Sequence, residues 1–416
     1  MKDKILEQGK LGKIAAASMA NASILNRNMA LQSMAEELRN HSQEIIAENS
    51  KDMAEGEKNK LTKSLLDRLM LDEIRIEAMA CGLESLVRLD DPIGQTKKMW
   101  KRPNDLEIGA MTVPLGLIAM IYEARPNVTV EAAGLCVKTG NAVILKGSST
   151  AYFSNKKLVE ILVKGALKGG LPENSIQLIE SKEREAVNVL LKMNEYLDVI
   201  IPRGGAGLIN NVVNNSTVPV IETGVGNCHA YVDDQADFQM AVDIIINGKT
   251  QRPSVCNSLE KVLIHKEIMK EFYPLLEKAL LEKNVEIRGH KTSIPFIENE
   301  IKEMSEDELY EEYLDYIIGV VVVENVVAAA NHINKYGSKH SEVIITDSYE
   351  NGRIFQQLVD SACIYHNAST RFSDGEVFGF GAEIGISTQK IHARGPMGLE
   401  ALTSIKYIIN GNGQIR

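Results

Sequence analysis

Residues 115–123, LGLIAMIYE, decide how the chain is read. The run is far below the roughly 18 apolar residues that a membrane span requires. It lacks the polar alternation of a half-solvated strand, so it reads as a short strand buried on both faces. The pattern then repeats downstream: a helix over 126–138, AVILKG (142–147), a helix over 151–168, SIQLIES (175–181), a helix over 184–193, LDVIIPRG (197–204), a helix over 206–214 and VPVIETG (218–224). Strands rich in β-branched residues that alternate with helices predict a parallel sheet covered by helices. Upstream, apolar positions recur at three- and four-residue spacings from 3 to 90, which predicts helices. Arg102-Pro-Asn-Asp105 breaks that pattern.

A second βα series begins after Asp237-Phe-Gln-Met240. A helix runs through about 248, a loop carries Cys256, and the strands LEKVLIH, VEIRG, IIGVVVV, EVIITD and ACIYHN follow. Two α/β domains in series account for this. The acidic run IENEIKEMSEDELYEEYLDY (297–316) reads as a solvated helical face. IKYIIN, near the C-terminus, reads as an exposed edge strand that pairs with another subunit.

Composition narrows the chemistry. Lys and Arg number 46 against 56 Asp and Glu, a net charge of −10, which argues against nucleic acid or an anionic membrane as partner. The N-terminal residues MKDKILEQGK interrupt any apolar signal core. Cysteines 81, 136, 228, 256 and 363 are odd in number and form no C-x-x-C pair, so neither a disulfide frame nor a metal site is expected, and a reducing cytoplasm fits.

Cys256 alone stands in a helix-to-strand loop, NGKTQRPSVCNSLE (247–260), with Lys249 and Arg252 available to favour a thiolate. Cys81, Cys136 and Cys363 read as core fillers. Adjacent strand residues point to opposite faces, so Cys228 and His229 do not form a catalytic pair. Gly204 and Gly205 follow a strand and open a helix, a geometry whose N–H groups receive anions. The full G-x-G-x-x-G fingerprint is absent, and Asp243 stands where a Walker loop would need glycine. Asn127 begins a helix after a strand, and Lys146 ends a strand at the edge where α/β sheets bind ligands.

Several long stretches together resemble the γ-glutamyl phosphate reductases of the aldehyde dehydrogenase superfamily. They are YEARPNVT (122–129), KTGNAVILKG (138–147), IPRGGAGLI (201–209), KTQRPSVCN (249–257), NASTRF (367–372) and FGFGAEIGISTQKIHARGPMGLEAL (378–402). The resemblance implies an α/β fold of two Rossmann-like parallel-sheet domains of the aldehyde dehydrogenase type plus a small β oligomerisation element. A cofactor domain would span 1–236, with a hairpin near 96–113 in the oligomerisation element. A catalytic domain would span 237–369, and 370–416 would return to the cofactor domain and its C-terminal strand.

The resemblance further implies NADPH-dependent reduction of L-glutamyl 5-phosphate to the semialdehyde, the second step of proline biosynthesis, through a thioester on Cys256. Asn127 would share the oxyanion with the Cys256 N–H. Lys146, Ser149, Gly204, Gly205 and Glu312 would hold NADPH/NADP. The uncharged Ser149 replaces a common ribose-binding acid, and Lys146-Gly-Ser-Ser149 departs from the Gly-Gly-Lys-like continuation of many members. Arg125, Arg371 and Arg394 are candidates for the substrate carboxylate. Glu222 resembles a water-activating glutamate of hydrolytic relatives and is left out of the catalytic set. A homo-oligomer and functional association with glutamate 5-kinase are the implied assemblies. The alternatives are a phosphate-independent aldehyde dehydrogenase and a non-redox cysteine acyltransferase.

Overall fold

The computed structural model describes residues 1–416, the side chain of Ser64 excepted. The chain divides into two compact units, one formed by 1–223, 379–385 and 397–416, the other by 224–378 and 386–396.

Five helices open the first unit: Lys2–Met19, Ile24–Asn40, Ser42–Lys58, Lys63–Leu69 and Glu73–Arg88. Three of them start where a short polar side chain satisfies an orphan N–H. Ser23 accepts from Asn26, Thr62 from Leu65 and Asp72 from Arg75. The buried Arg27 guanidinium forks onto Asp91 at 3.1 and 2.7 Å, tying the second helix to the segment that follows the fifth. Cys81, expected in the core, is exposed on the outer face of its helix.

Strands β1 (Thr96–Lys101) and β2 (Glu107–Pro114) form an antiparallel hairpin. The parallel sheet of this unit is built from β3 (Leu117–Tyr122), β4 (Ala142–Lys146), β5 (Ile176–Leu178) and β6 (Val199–Arg203), in the order β5-β4-β3-β6. Every residue of β3 and β4 is buried, because the helices Pro126–Lys138 and Lys2–Met19 pack on them. VPVIETG, expected as a further strand, contributes only an isolated bridge between Ile200 and Val220. Pro219 supplies no N–H for a longer ladder.

The second unit is a seven-stranded sheet of β7 (Cys228–Val232), β8 (Leu259–His265), β9 (Glu286–Gly289), β10 (Lys302–Glu303), β11 (Ile317–Val323), β12 (Ser341–Ile345) and β13 (Cys363–His366). Its order is β10-β9-β11-β8-β7-β12-β13, all parallel, with β8 at the centre. Period-2 alternation sends Ala230, Val232, Val262 and Ile264 into one apolar layer and Tyr231, Leu263, Val321 and Ile344 into the other. Because β7 belongs to this sheet, the second unit begins at Gly224 and not after residue 236. The return to the first unit begins at Gly379 and is interrupted, since β14 (Ile386–Ser387) and β15 (Gly395–Pro396) lie in the second unit. The acidic run is not a helix. It holds β10 and a short 3-10 turn at Asp307–Tyr310, and 311–316 are without regular structure.

Finally β16 (Thr403–Asn410) returns to the first unit and pairs antiparallel with β2, so the third sheet has the order β1-β2-β16. Among the described residues, no helix is long and apolar enough to cross a membrane.

A close approach between helices supplies a test. A Cβ on Gly165 would lie 2.5 Å from the Cα of Met34. Alanine normally gains about 0.5–1 kcal/mol over glycine inside a helix, whereas overpacking against backbone costs about 1–3 kcal/mol. Gly165→Ala is therefore expected to lower stability in urea or thermal unfolding, the opposite of what helix propensity alone gives.

Candidate active site

Cys256 lies between the helix Phe238–Thr250 and β8, in a loop whose turns leave it half-buried. The other four cysteines are fully exposed (Cys81) or buried (Cys136, Cys228 and Cys363). Burial pushes the Cys136 and Cys228 thiols well up, which keeps them protonated and unreactive. Cys228 instead donates its S–H to the Cys256 carbonyl at 3.2 Å. That carbonyl also rests on Gly226, where a Cβ would come within 1.5 Å of the oxygen. Gly226 and Cys228, at the entry to β7, thus both support the loop backbone.

The residue after the cysteine anchors the loop from the other side. Asn257 donates to the Ser373 carbonyl at 2.8 Å, and its own carbonyl accepts from Thr370 Oγ1 at 2.7 Å. Its side-chain oxygen accepts from Arg371, whose Nε also donates to Gln251 Oε1 at 2.9 Å. Arg371 therefore belongs to the Cys256 loop. Burial draws its pKa down, the negative charge of Cys256 opposes that fall, and Arg252 adds to it. A guanidinium held this way favours the thiolate. Lys249 does not play that part, because it is buried and paired with Glu260 at 3.1 Å.

Glu312 lies in the irregular segment after the 3-10 turn, and its Oε1 accepts from the Gly226 N–H at 2.7 Å. One glycine thus touches both the Cys256 carbonyl and this carboxylate. Arg394 is committed elsewhere, bonded to Asp360 at 2.9 Å beside Lys390 at 2.8 Å.

In the first unit, Lys146 ends β4 with a buried side chain whose Nζ donates to the Gly147 carbonyl at 2.8 Å, and burial lowers its pKa. Ser149 opens a short 3-10 turn and is exposed. Together with Thr150, Gly56, Asn59, Glu55 and Lys182 it lines a cavity of about 340 Å³. Lys182 Nζ lies 4.8 Å from the Tyr152 ring centre and 3.8 Å from Glu55. Sequence reading missed this lysine, whose only signal was a cation just past the end of SIQLIES. Gly204 and Gly205 form the turn between β6 and the helix Ala206–Asn215, but a Cβ on Gly204 would meet Glu123 at 2.6 Å, so a carboxylate side chain flanks the turn. Asn127 sits in the first turn of Pro126–Lys138, where its amide donates to Glu131 at 2.8 Å. Arg125 is the N-cap of that helix, and Glu222 is half-buried in the segment after Val220.

A supported loop cysteine beside an arginine, on α/β units with parallel sheets, defines the class of thiol-dependent enzymes to which the aldehyde dehydrogenases belong. The profile of the aldehyde dehydrogenase family matches residues 10–300. Over all 416 residues the chain is 58% identical to a γ-glutamyl phosphate reductase of Clostridium botulinum (strain Eklund 17B / Type B), covering 100% of both. It is 55% identical to that of Halothermothrix orenii, over 100% of this chain and 99% of the relative. The crystal structure of a γ-glutamyl phosphate reductase from Thermotoga maritima superposes with a TM-score of 0.96 at 44% identity, covering 99% of each chain. The chain belongs to the aldehyde dehydrogenase family and, within it, to the γ-glutamyl phosphate reductases.

The contact at Gly226 is testable. Displacing the Cys256 carbonyl shifts the loop and its thiol, and misplacing a reacting group by about 1 Å costs on the order of 100-fold in rate. Gly226→Ala is expected to lose at least about that factor in kcat, measured in steady-state assays on protein that still shows a cooperative melt.

Proposed function

We infer that the chain reduces L-glutamyl 5-phosphate to L-glutamate 5-semialdehyde in proline biosynthesis, with Cys256 as the nucleophile. The observation that carries the assignment of Cys256 is its loop. It is the one half-exposed cysteine, its backbone is fixed by Gly226, Cys228 and Asn257, and Arg371 lies within electrostatic reach. The thiolate attacks the acyl carbon, the C–O bond to phosphate breaks with its electron pair, and a thioester remains on Cys256. A bound nicotinamide cofactor supplies the hydride that reduces this thioester. The resulting thiohemiacetal oxyanion is met by the Cys256 N–H, with Asn127 as the second donor, a role that requires its amide to leave Glu131. Collapse of the oxyanion breaks the C–S bond, releases the aldehyde and restores the thiolate.

NADPH is the cofactor this reading favours. Lys146 and Ser149 would hold the adenosine ribose, and Glu312 the nicotinamide ribose. No acid stands at 149 to repel a 2′-phosphate, and Lys182 puts a cation in the same cavity. Gly204 and Gly205 would face the pyrophosphate only with Glu123 turned aside. Arg371 serves the thiolate and the departing phosphate, and Arg125 remains the candidate for the α-carboxylate. Arg394 would have to leave Asp360 to take that part.

β16 supports a homo-oligomer, because it is the edge of its sheet and presents Ile405, Tyr407 and Ile409 at 52, 60 and 60% exposure. Residence in the cytoplasm and association with glutamate 5-kinase belong to the same reading.

Cys256→Ala is expected to lower turnover at least about a thousandfold while NADPH still binds, as followed by cofactor fluorescence. In the reverse direction, NADP⁺ reduction by the semialdehyde is expected only when inorganic phosphate is present. Phosphate-independent reduction would instead identify a hydrolytic aldehyde dehydrogenase. Lys182→Glu is expected to weaken NADPH at least about tenfold and to leave NADH within about threefold, as the loss of one phosphate-facing cation requires.

A further inference from the structure

Three charged side chains, Lys249 in the last turn of the helix Phe238–Thr250 and Glu260 and Lys261 at the start of the central strand β8, are buried without solvent exposure. Burying charge is costly unless every group is paired, and none of the three takes part in the thioester chemistry. Their bonds converge on the irregular strap at 309–314. Lys261 Nζ donates to the Glu311 carbonyl at 2.8 Å and to Asn227 Oδ1 at 3.1 Å, and lies 4.1 Å from the centre of the Tyr313 ring. Asn227 Nδ2 donates in turn to the Leu309 carbonyl at 2.8 Å. From the opposite face of β8, Glu260 accepts from the Tyr313 and Leu314 N–H groups at 3.2 and 3.4 Å, with Lys249 balancing its charge. The strap passes the strand's start, so side chains from both faces reach it.

The strap has no regular structure between the 3-10 turn and β11, and these side-chain bonds hold it together with the contacts of the Tyr313 side chain to Arg288 and Met304. It carries Glu312, whose carboxylate is delivered to the Gly226 N–H, one residue from Asn227. We propose that Lys261 is a positioning residue that clamps the 309–314 strap and thereby aims Glu312 at the ribose of the nicotinamide nucleotide. The proposal rests on the reading of Glu312 as the ribose-binding acid. Removing the ammonium would leave Asn227 Oδ1 and the Glu311 carbonyl without this donor. The β8 backbone would keep its ladder, since Lys261 pairs in register with His229 and Gly319. The strap is thus the part that would be released.

The test is a double-mutant cycle on NADPH affinity, read by cofactor fluorescence, with Lys261→Met, Glu312→Gln and the double variant. Each single change is expected to raise Kd about tenfold, and the double variant about as much as either one, the non-additivity of two groups acting through one contact. The KM for the acyl phosphate is expected to stay within about threefold, a split that a general loss of structure would not give. If Glu312→Gln weakens NADPH and Lys261→Met does not, the proposal fails while the reading of Glu312 stands. Additive effects in the double variant would overturn it likewise. If Glu312→Gln leaves Kd unchanged, that reading fails and the proposal with it. Should Lys261→Met not fold, Tyr313→Leu, which removes the half-buried ring under the ammonium along with its contacts to Arg288 and the Met304 sulfur, is expected to raise the NADPH Kd about threefold, and an unchanged Kd would overturn the proposal.

Discussion

The site in the second unit depends on how closely Gly226 approaches the Cys256 carbonyl. No other residue type has room there, and the same glycine's N–H holds Glu312. The neighbours of Gly226 in sequence extend the arrangement, with Cys228 capping the same carbonyl and Asn227 reaching the strap. Three consecutive residues leading into β7 thus set Cys256 and Glu312 against one backbone reference. The accuracy that thioester chemistry requires comes from backbone and buried side chains more than from the exposed loop itself.

The polar interior of the second unit is organised by charge state as well as by shape. Burial lowers the His229 pKa to about 3 and raises that of Glu342 well above its usual range, each shift disfavouring the charged form where His229 Nδ1 lies 3.2 Å from Glu342 Oε2. Burial also lowers Lys261 to about 8, which leaves its ammonium mostly charged near neutrality and able to hold both carbonyl-type acceptors.

Much of the architecture was legible because strand burial follows directly from residue type. LGLIAMIY, AVILK and IIGVVVV announce strands covered on both sides, and the helical periods between them give the parallel order. Cys256 was legible by its position between a helix and a strand. Less visible was anything that depends on what lies opposite a residue. Lys261 and Glu260 look like the solvent side of a strand, yet both are enclosed because the strap folds over them. The acidic run has the composition of a solvated helix, but backbone bonds to Glu260 and Lys261 hold part of it extended. Lys182 gains its meaning only from the cavity it shares with Ser149. The division at Gly224 was hidden because β7 resembles any other buried strand, and only pairing with β8 and β12 assigns it to the second sheet.

The pairing of β16 with β2 bears on how the chain is made. β2 leaves the ribosome early, but its only neighbour besides β1 is the last strand synthesised, and Asn141 likewise waits for the Leu402 carbonyl, 261 residues away. Until then an edge of the first unit stays open, an arrangement of high contact order that folds slowly and is prone to wrong pairing. The second unit, drawn almost wholly from one continuous stretch, can complete its sheet before that moment. A nascent chain stalled short of residue 403 would therefore carry a finished seven-stranded sheet and an unfinished first unit, and loss of the residues from Thr403 onward would expose β2 to strangers.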